Sequence, residues 1–213
     1  MLTWMQIIDI GHTAVMVPLA GGIAAWLVLG RAWRLAAWWC LIFGAGLGIV
    51  ASSKIAYLGW GVEIPALGFK ALSGHAWRAT AVLPVLFYVV LQGAPACWRL
   101  RGAAFGVLLG AALAGLLVIF RFHTASEVIG SFILGMAAFL AFLRAAQIAP
   151  APTVGPWAVP LSLASFALIW GLKPSSINHR LVDVALYFSG REEPFRWSHD
   201  SALPLPRQQR KEC

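Results

Sequence analysis

Charge is what this sequence has least of. Of its 213 residues, 11% are charged and 60% hydrophobic, whereas ordinary soluble domains carry about 25% charged residues. That is less than half the polar surface needed to cover a globule, which excludes a water-soluble domain and points to lipid as the solvent. Cysteine is limited to Cys40, Cys97 and Cys213. They lie far apart and match no metal or redox spacing, so they read as idle thiols. No Lys or Arg precedes Arg31. The first apolar stretch therefore lacks the positive n-region of a signal peptide, is too long for an h-region, and reads as a retained helix. Long alternating polar/apolar runs are missing too, which favours helices over a barrel.

What is present is apolar sequence in six stretches: roughly Ile8–Leu29, Leu35–Ser52, Ala79–Leu91, Ala103–Phe120, Val128–Leu143 and Trp157–Leu172. Several reach or approach the ~20 residues that cross a bilayer, while the third and sixth are short. Residues 149–156 (APAPTVGP) form a Pro-rich connector unable to continue a helix. In SINHRLVDVALYFSG, residues 176–190, the apolar positions Ile177, Leu181, Val184, Ala185 and Phe188 follow helical periodicity and end at a Gly suited to a C′ position. An interfacial amphipathic helix is expected there. The expected architecture is all-α and polytopic. A six-transmembrane-helix bundle occupies residues 1–175, the amphipathic helix 176–190, and a flexible basic tail 191–213. There is no internal repeat, and nothing in the sequence sets an oligomeric state.

The net charge of +8 would suggest nucleic acid in a soluble protein. Here it falls in short loops and in the tail, which favours membrane orientation and anionic lipid, with no nucleic-acid partner. With six spans, one side holds Arg31 and Arg34, Arg99 and Arg101, and Arg144 at its margin, with no acid among them. The positive-inside rule puts that side in the cytoplasm. The seven Lys and Arg of residues 173–213 pull against this assignment.

Ionisable residues near spans are costly and default to functional hypotheses. Three groups stand out: Lys54 after the second stretch; Lys70, Ser73, His75 and Arg78 at the start of the third; and Arg121, His123, Ser126 and Glu127 between the fourth and fifth. In a six-span layout all three share one side of the membrane. His123 and Glu127 are spaced i, i+4, on one helical face. A carboxylate there can accept the Nδ1–H of the imidazole and leave Nε2 as nucleophile or base. His75 and Arg78 also share a face. Gly74 allows close backbone approach, and Ser73 is a candidate N-cap at a helix start that favours an anion. Two His, one carboxylate and several cations make a phosphate site, with no metal-ligand spacing. His12, His179, His199, Lys70 and Arg144 read instead as interfacial residues snorkelling to headgroups.

These residues resemble the motifs of the type 2 phosphatidic acid phosphatase superfamily, which is related to vanadium haloperoxidases. LSGHAWRA looks like its Pro-Ser-Gly-His motif, with Leu72 in the Pro position. HTASE looks like the end of its third motif, with Glu127 in the Asp position, and SKIAYLGWG carries Lys54 for the first. Two family arginines are absent: Gly61 and Val62 stand where Arg-Pro would follow Lys54, and Leu116 and Leu117 stand where Ser-Arg would precede His123. Arg78 and Arg121 are nearby substitutes, each with the planar fork that suits phosphate.

The resemblance implies an integral membrane phosphatase acting without metal or cofactor. His123 would form a phosphohistidine, Glu127 would hold its tautomer, and His75 would protonate the leaving oxygen. Lys54, Ser73 and Gly74 would bind the phosphoryl group. The substrate implied is a lipid phosphate or diphosphate entering from the bilayer: polyprenyl diphosphate, phosphatidylglycerol phosphate or phosphatidic acid. The site would face the outer, periplasmic side of the inner membrane. The rival readings are a phosphatase fold that binds phospholipid headgroups without turnover, a transporter using His, Lys and Glu as a proton relay, and a bis-His haem protein using His75 and His123.

Overall fold

The computed structural model describes residues 13–148 and 177–195. Six α-helices form among them: α1 (Thr13–Leu29), α2 (Trp33–Trp60), α3 (Gly74–Val90), α4 (Ala96–Ile119), α5 (Ala125–Ile148) and α6 (Ile177–Ser189). No strand forms among the described residues; one isolated bridge pairs Ile64 with Phe69. Three helices, α2, α4 and α5, are long and apolar enough to cross a bilayer, and α1 is a shorter apolar helix. Only about a third of the residues in each long span are buried. Leu41, Ile49, Phe105, Leu108, Ile133 and Leu140 instead face outward, as expected where the surroundings are as apolar as the interior. Among the described residues the protein is all-helical, with three helices of the length and apolar character of membrane spans. The sixth stretch (Trp157–Leu172), the Pro-rich connector, His12, His199 and the tail beyond residue 195 lie outside the described residues.

Most helices outrun the apolar stretches that announce them. α2 runs to Trp60 rather than stopping at Ser52, because Ser53 satisfies its hydroxyl on the Val50 carbonyl at 2.8 Å and does not break the turn. The helix ends only at Gly61, whose φ of 67° is left-handed and whose N–H caps the Tyr57 carbonyl at 2.8 Å. Lys54 thus sits inside α2, not after it. At 28 residues, α2 is about 40 Å long, and Trp33 and Trp60, both exposed, mark its two ends at headgroup spacing.

α3 begins at Gly74, five residues ahead of the apolar run Ala79–Leu91, because Ser73 caps it: its Oγ accepts from the Ala76 N–H at 3.4 Å. It is the centre of the bundle, packed on α1, α4 and α5, and almost every residue from Gly74 to Val85 is buried. Glycines let its neighbours approach this closely. A methyl at Gly106 would lie 2.6 Å from Pro84 Cα, and one at Gly110 3.1 Å from Thr80 Cα. Cβ atoms at Gly46 and Gly135 would run into the Trp77 ring and the Thr80 hydroxyl. Close backbone approach through small residues is how helices associate where burial from water supplies little drive.

At one end of this bundle lie the C-termini of α2 and α4 and the N-termini of α3 and α5; at the other lie Arg31, Arg34, Arg99, Arg101 and Arg144. Phe142 near the end of α5 meets Trp39 near the start of α2, with ring centroids 5.7 Å apart, and Tyr88 near the end of α3 at 6.2 Å. α6 docks at the first of these ends. A Cβ on Gly59 would lie 3.0 Å from the Ala185 carbonyl, and Phe195 N–H donates to the Leu58 carbonyl at 3.0 Å. Its C-terminus is closed by Gly190 at φ 66°.

Candidate active site

Thr124-Ala125-Ser126-Glu127 opens α5 with a reciprocal cap. The Thr124 hydroxyl accepts from Glu127 N–H at 3.4 Å, and Glu127 Oε2 accepts from Thr124 N–H at 3.2 Å. This Ser/Thr-x-x-Glu box satisfies two orphan donors of the first turn. Here it does more, because it fixes the carboxylate over the residue before the cap. His123 Nδ1 lies 2.8 Å from Glu127 Oε2. The other oxygen, Oε1, accepts from Lys70 N–H at 3.2 Å. Glu127 is buried, its side chain 3% exposed, while His123 keeps 17%. The carboxylate is therefore committed on both oxygens, and the imidazole is the member of the pair open to a ligand. With Nδ1 engaged, Nε2 is the nitrogen left for chemistry.

The loop between α2 and α3 is tied to this cap at three points. The Thr124 hydroxyl donates to the Gly68 carbonyl at 3.1 Å, Glu127 takes Lys70 N–H, and Ser73 N–H donates to Ser131 Oγ at 2.7 Å. Ser131 in turn donates to the Glu127 carbonyl at 2.6 Å, one turn down α5. Leu72 N–H donates to Ser53 Oγ at 3.1 Å, which ties the loop to α2 as well. So the N-termini of α3 and α5 and the end of α2 are held in register by buried and half-buried hydrogen bonds, and His75, on the first turn of α3, is carried to the same end.

Arg78 occupies the next turn of α3. It is buried at 8% exposure, and its side chain has no hydrogen bond or ion pair among the described residues, the Nε being fully enclosed and without a partner. Its guanidinium folds back toward the helix start: a Cβ on Gly74 would lie 3.0 Å from Arg78 Nη1. The bare Cα of Gly74 is what leaves room for it. Lys54, half-buried on α2, lies within electrostatic reach of both Arg78 and Glu127. A buried cation without a partner costs several kcal/mol, and here Lys54 stands as a second cation near Arg78 at the mouth of a helix. An anion is the group that would balance them.

Lys54, Ser73, Gly74, His75, Arg78, His123 and Glu127 therefore share one end of the bundle. Arg121 differs. It is exposed at the turn after α4, in the left-handed region at φ 59°, with no side-chain partner among the described residues. Lys70 stacks its ammonium over the Tyr57 ring at 5.7 Å. Thr124 and Ser131, which the spacing argument passed over, are the residues that hold the site in place. The capping box was the readable signal for Thr124. For Ser131 there was none, since its partner lies 58 positions away.

The chain is similar to an uncharacterized 22.5 kDa protein in the cps region of Klebsiella pneumoniae. The two are 31% identical over 152 residues, 71% of this chain and 73% of that one. No family model matches the chain, and no solved structure matches it. By that identity and coverage the chain belongs to the family of the Klebsiella pneumoniae protein.

Proposed function

We propose that this member of the family of the Klebsiella pneumoniae 22.5 kDa protein is an integral-membrane phosphatase that hydrolyses a lipid phosphomonoester or diphosphate through a phosphohistidine. The observation that carries the reading is the His123–Glu127 pair at 2.8 Å, set at the same end of the bundle as the buried Arg78 guanidinium, which has no side-chain partner among the described residues. It agrees with the resemblance of LSGHAWRA and HTASE to the type 2 phosphatidic acid phosphatase motifs.

In this mechanism Nε2 of His123 attacks phosphorus as the bond to the leaving oxygen breaks, and His75 gives that oxygen its proton. The leaving group is the lipid alcohol, or the lipid monophosphate when the substrate is a diphosphate. Glu127 holds Nδ1–H and steadies the positive charge that develops on the ring. Lys54, Arg78 and the first-turn amides of α3 receive the charge on the equatorial oxygens. Water then attacks the phosphohistidine, gives a proton to His75, and inorganic phosphate leaves with His123 restored.

The same reading includes six spans. α5 ends at the arginine-rich end and α6 docks at the other, which supports a further crossing between them, and Trp157–Leu172 is the apolar stretch suited to it. The positive-inside rule then places the arginines in the cytoplasm and the site on the outer face of the cell membrane.

Phosphate release from phosphatidic acid, phosphatidylglycerol phosphate and a polyprenyl diphosphate, with EDTA present, tests the reaction. Turnover by the wild type that His123→Ala abolishes is the expected result. Equal background from both proteins across the panel would overturn it. One feature favours a second reading: Gly61-Val62 and Leu116-Leu117 stand where the resembled family has arginines. A protein that binds vanadate through Arg78 yet releases no phosphate would be a headgroup-binding relative instead.

A further inference from the structure

The arginine-rich end carries a feature that the reaction does not use. Between the start of α2 and the end of α5 lies a cavity of about 650 Å³, lined by Arg34, Trp38, Ile42, Leu140, Ala141 and Arg144 among others. That volume is in the range that takes a small ligand. Its walls are apolar, and two arginines from different helices meet at it. Neither Arg34 nor Arg144 has an ion pair or hydrogen bond through its side chain among the described residues, and no acidic residue is among those lining the cavity.

Arg34 stands in the first turn of α2, the positive end of the helix dipole, where a cation is disfavoured and an anion favoured. The cap residue of α2, Ala32, supplies no side-chain hydrogen bond, so the first-turn amides add to the same demand. Arg144 lies in the last turns of α5, where its charge suits the dipole. Trp38 and Leu140, both largely exposed, continue the cavity wall along the lipid-facing surface. A ligand that fits has a compact anion at one end and hydrocarbon at the other.

We infer that this cavity is a binding site for an anionic phospholipid. Its phosphate is clamped between Arg34 and Arg144, and an acyl chain lies along Trp38, Ile42 and Leu140. Basic pockets between helices at a membrane face hold acidic headgroups in this way, and the guanidinium fork suits phosphate better than an ammonium. The site is at the opposite end of the bundle from His123 and does not rest on the phosphatase reading.

Native mass spectrometry of the full chain in detergent, delipidated and offered phosphatidylglycerol or phosphatidylethanolamine, tests it. The wild type should retain phosphatidylglycerol in preference, and the Arg34→Gln, Arg144→Gln pair should lower that preference roughly tenfold or more. The pair Arg31→Gln, Arg101→Gln removes the same charge from the same end without touching the cavity, and should keep the preference. Equal retention of the two lipids by the wild type would overturn the inference, and this arm needs no variant to fold. An equal loss in both variant pairs would overturn it as well, because it would show diffuse attraction to the membrane face.

Discussion

The two ends of the bundle use similar residues to opposite effect. At the end shared by α2, α3, α4 and α5, charge is enclosed and tied to backbone: Glu127 accepts from Thr124 and Lys70 N–H and pairs with His123, and Arg78 is buried. At the other end Arg31 and Arg101, which stand outside the cavity there, are exposed, and Arg101 merely lies over the Trp98 ring at 5.2 Å. An arginine in water or among headgroups is satisfied by its surroundings and constrains nothing. One shut inside the protein needs a counter-charge, and the shape around it decides what can supply that charge. Burial of the polar groups, more than their number, separates a candidate site from an interfacial fringe.

The comparison is broken most completely at His123. His123→Ala should reduce phosphate release on the order of 10⁴-fold, to background, because the bond-forming nitrogen is gone. Glu127→Gln should cost about 10²–10⁴-fold by leaving the imidazole tautomer unheld, and the thermal melt should fall as well, since the amide nitrogen cannot accept and replaces one of the two oxygens that take the Lys70 and Thr124 N–H groups. Arg78→Met sharpens the contrast further. Release of phosphate and affinity for vanadate should both fall, turnover by about 10²–10³-fold. The melting temperature should stay level or rise, because an unpaired buried cation has been removed. A joint loss of activity and stability would instead mark Arg78 as part of the scaffold.

Gly135→Ala leaves every charged group in place and addresses the frame alone. Its Cβ would collide with the Thr80 hydroxyl at the α3–α5 contact, and we expect a loss of about 1–3 kcal/mol in unfolding measurements. At the far end Arg101→Gln should change stability by less than about 0.5 kcal/mol and leave phosphate release at the wild-type value. A measurable drop there would erase the distinction between the ends.

Much of this arrangement was legible in the sequence because the lipid-facing helices are long apolar runs, and hydropathy reads them directly. The SGHAWR and HTASE stretches were legible because polar clusters are conspicuous against such a background. α3 was harder. Its apolar run is among the shortest, interrupted at the start by His75 and Arg78 and containing Pro84, yet it is the helix the others surround. Hydropathy measures preference for lipid, and a helix enclosed by protein can carry polar groups, so the most buried element gave a weak signal. The seats at Gly46, Gly106, Gly110 and Gly135 follow from pairings across the chain and could not be read locally. Apolar content ends at Ser52 while helical hydrogen bonding continues to Trp60, so hydropathy sets Lys54 after a helix that in fact contains it. Arg121 is close to His123 in sequence, yet it stands exposed in a left-handed turn, which proximity in sequence does not reveal.

The length of α2 has a kinetic consequence. Lys54 lies six residues before Trp60, about 9 Å along the helix, which puts it at the boundary between headgroups and hydrocarbon when Trp60 sits at headgroup level. A reaction there samples a two-dimensional solution. Its rate would follow the mole fraction of substrate in the leaflet, not its bulk concentration, and diluting the substrate with inert lipid would slow it even at constant total amount. The two products would also part on release, the lipid product remaining in the membrane and the inorganic phosphate entering water, so the pair would seldom meet again at the site.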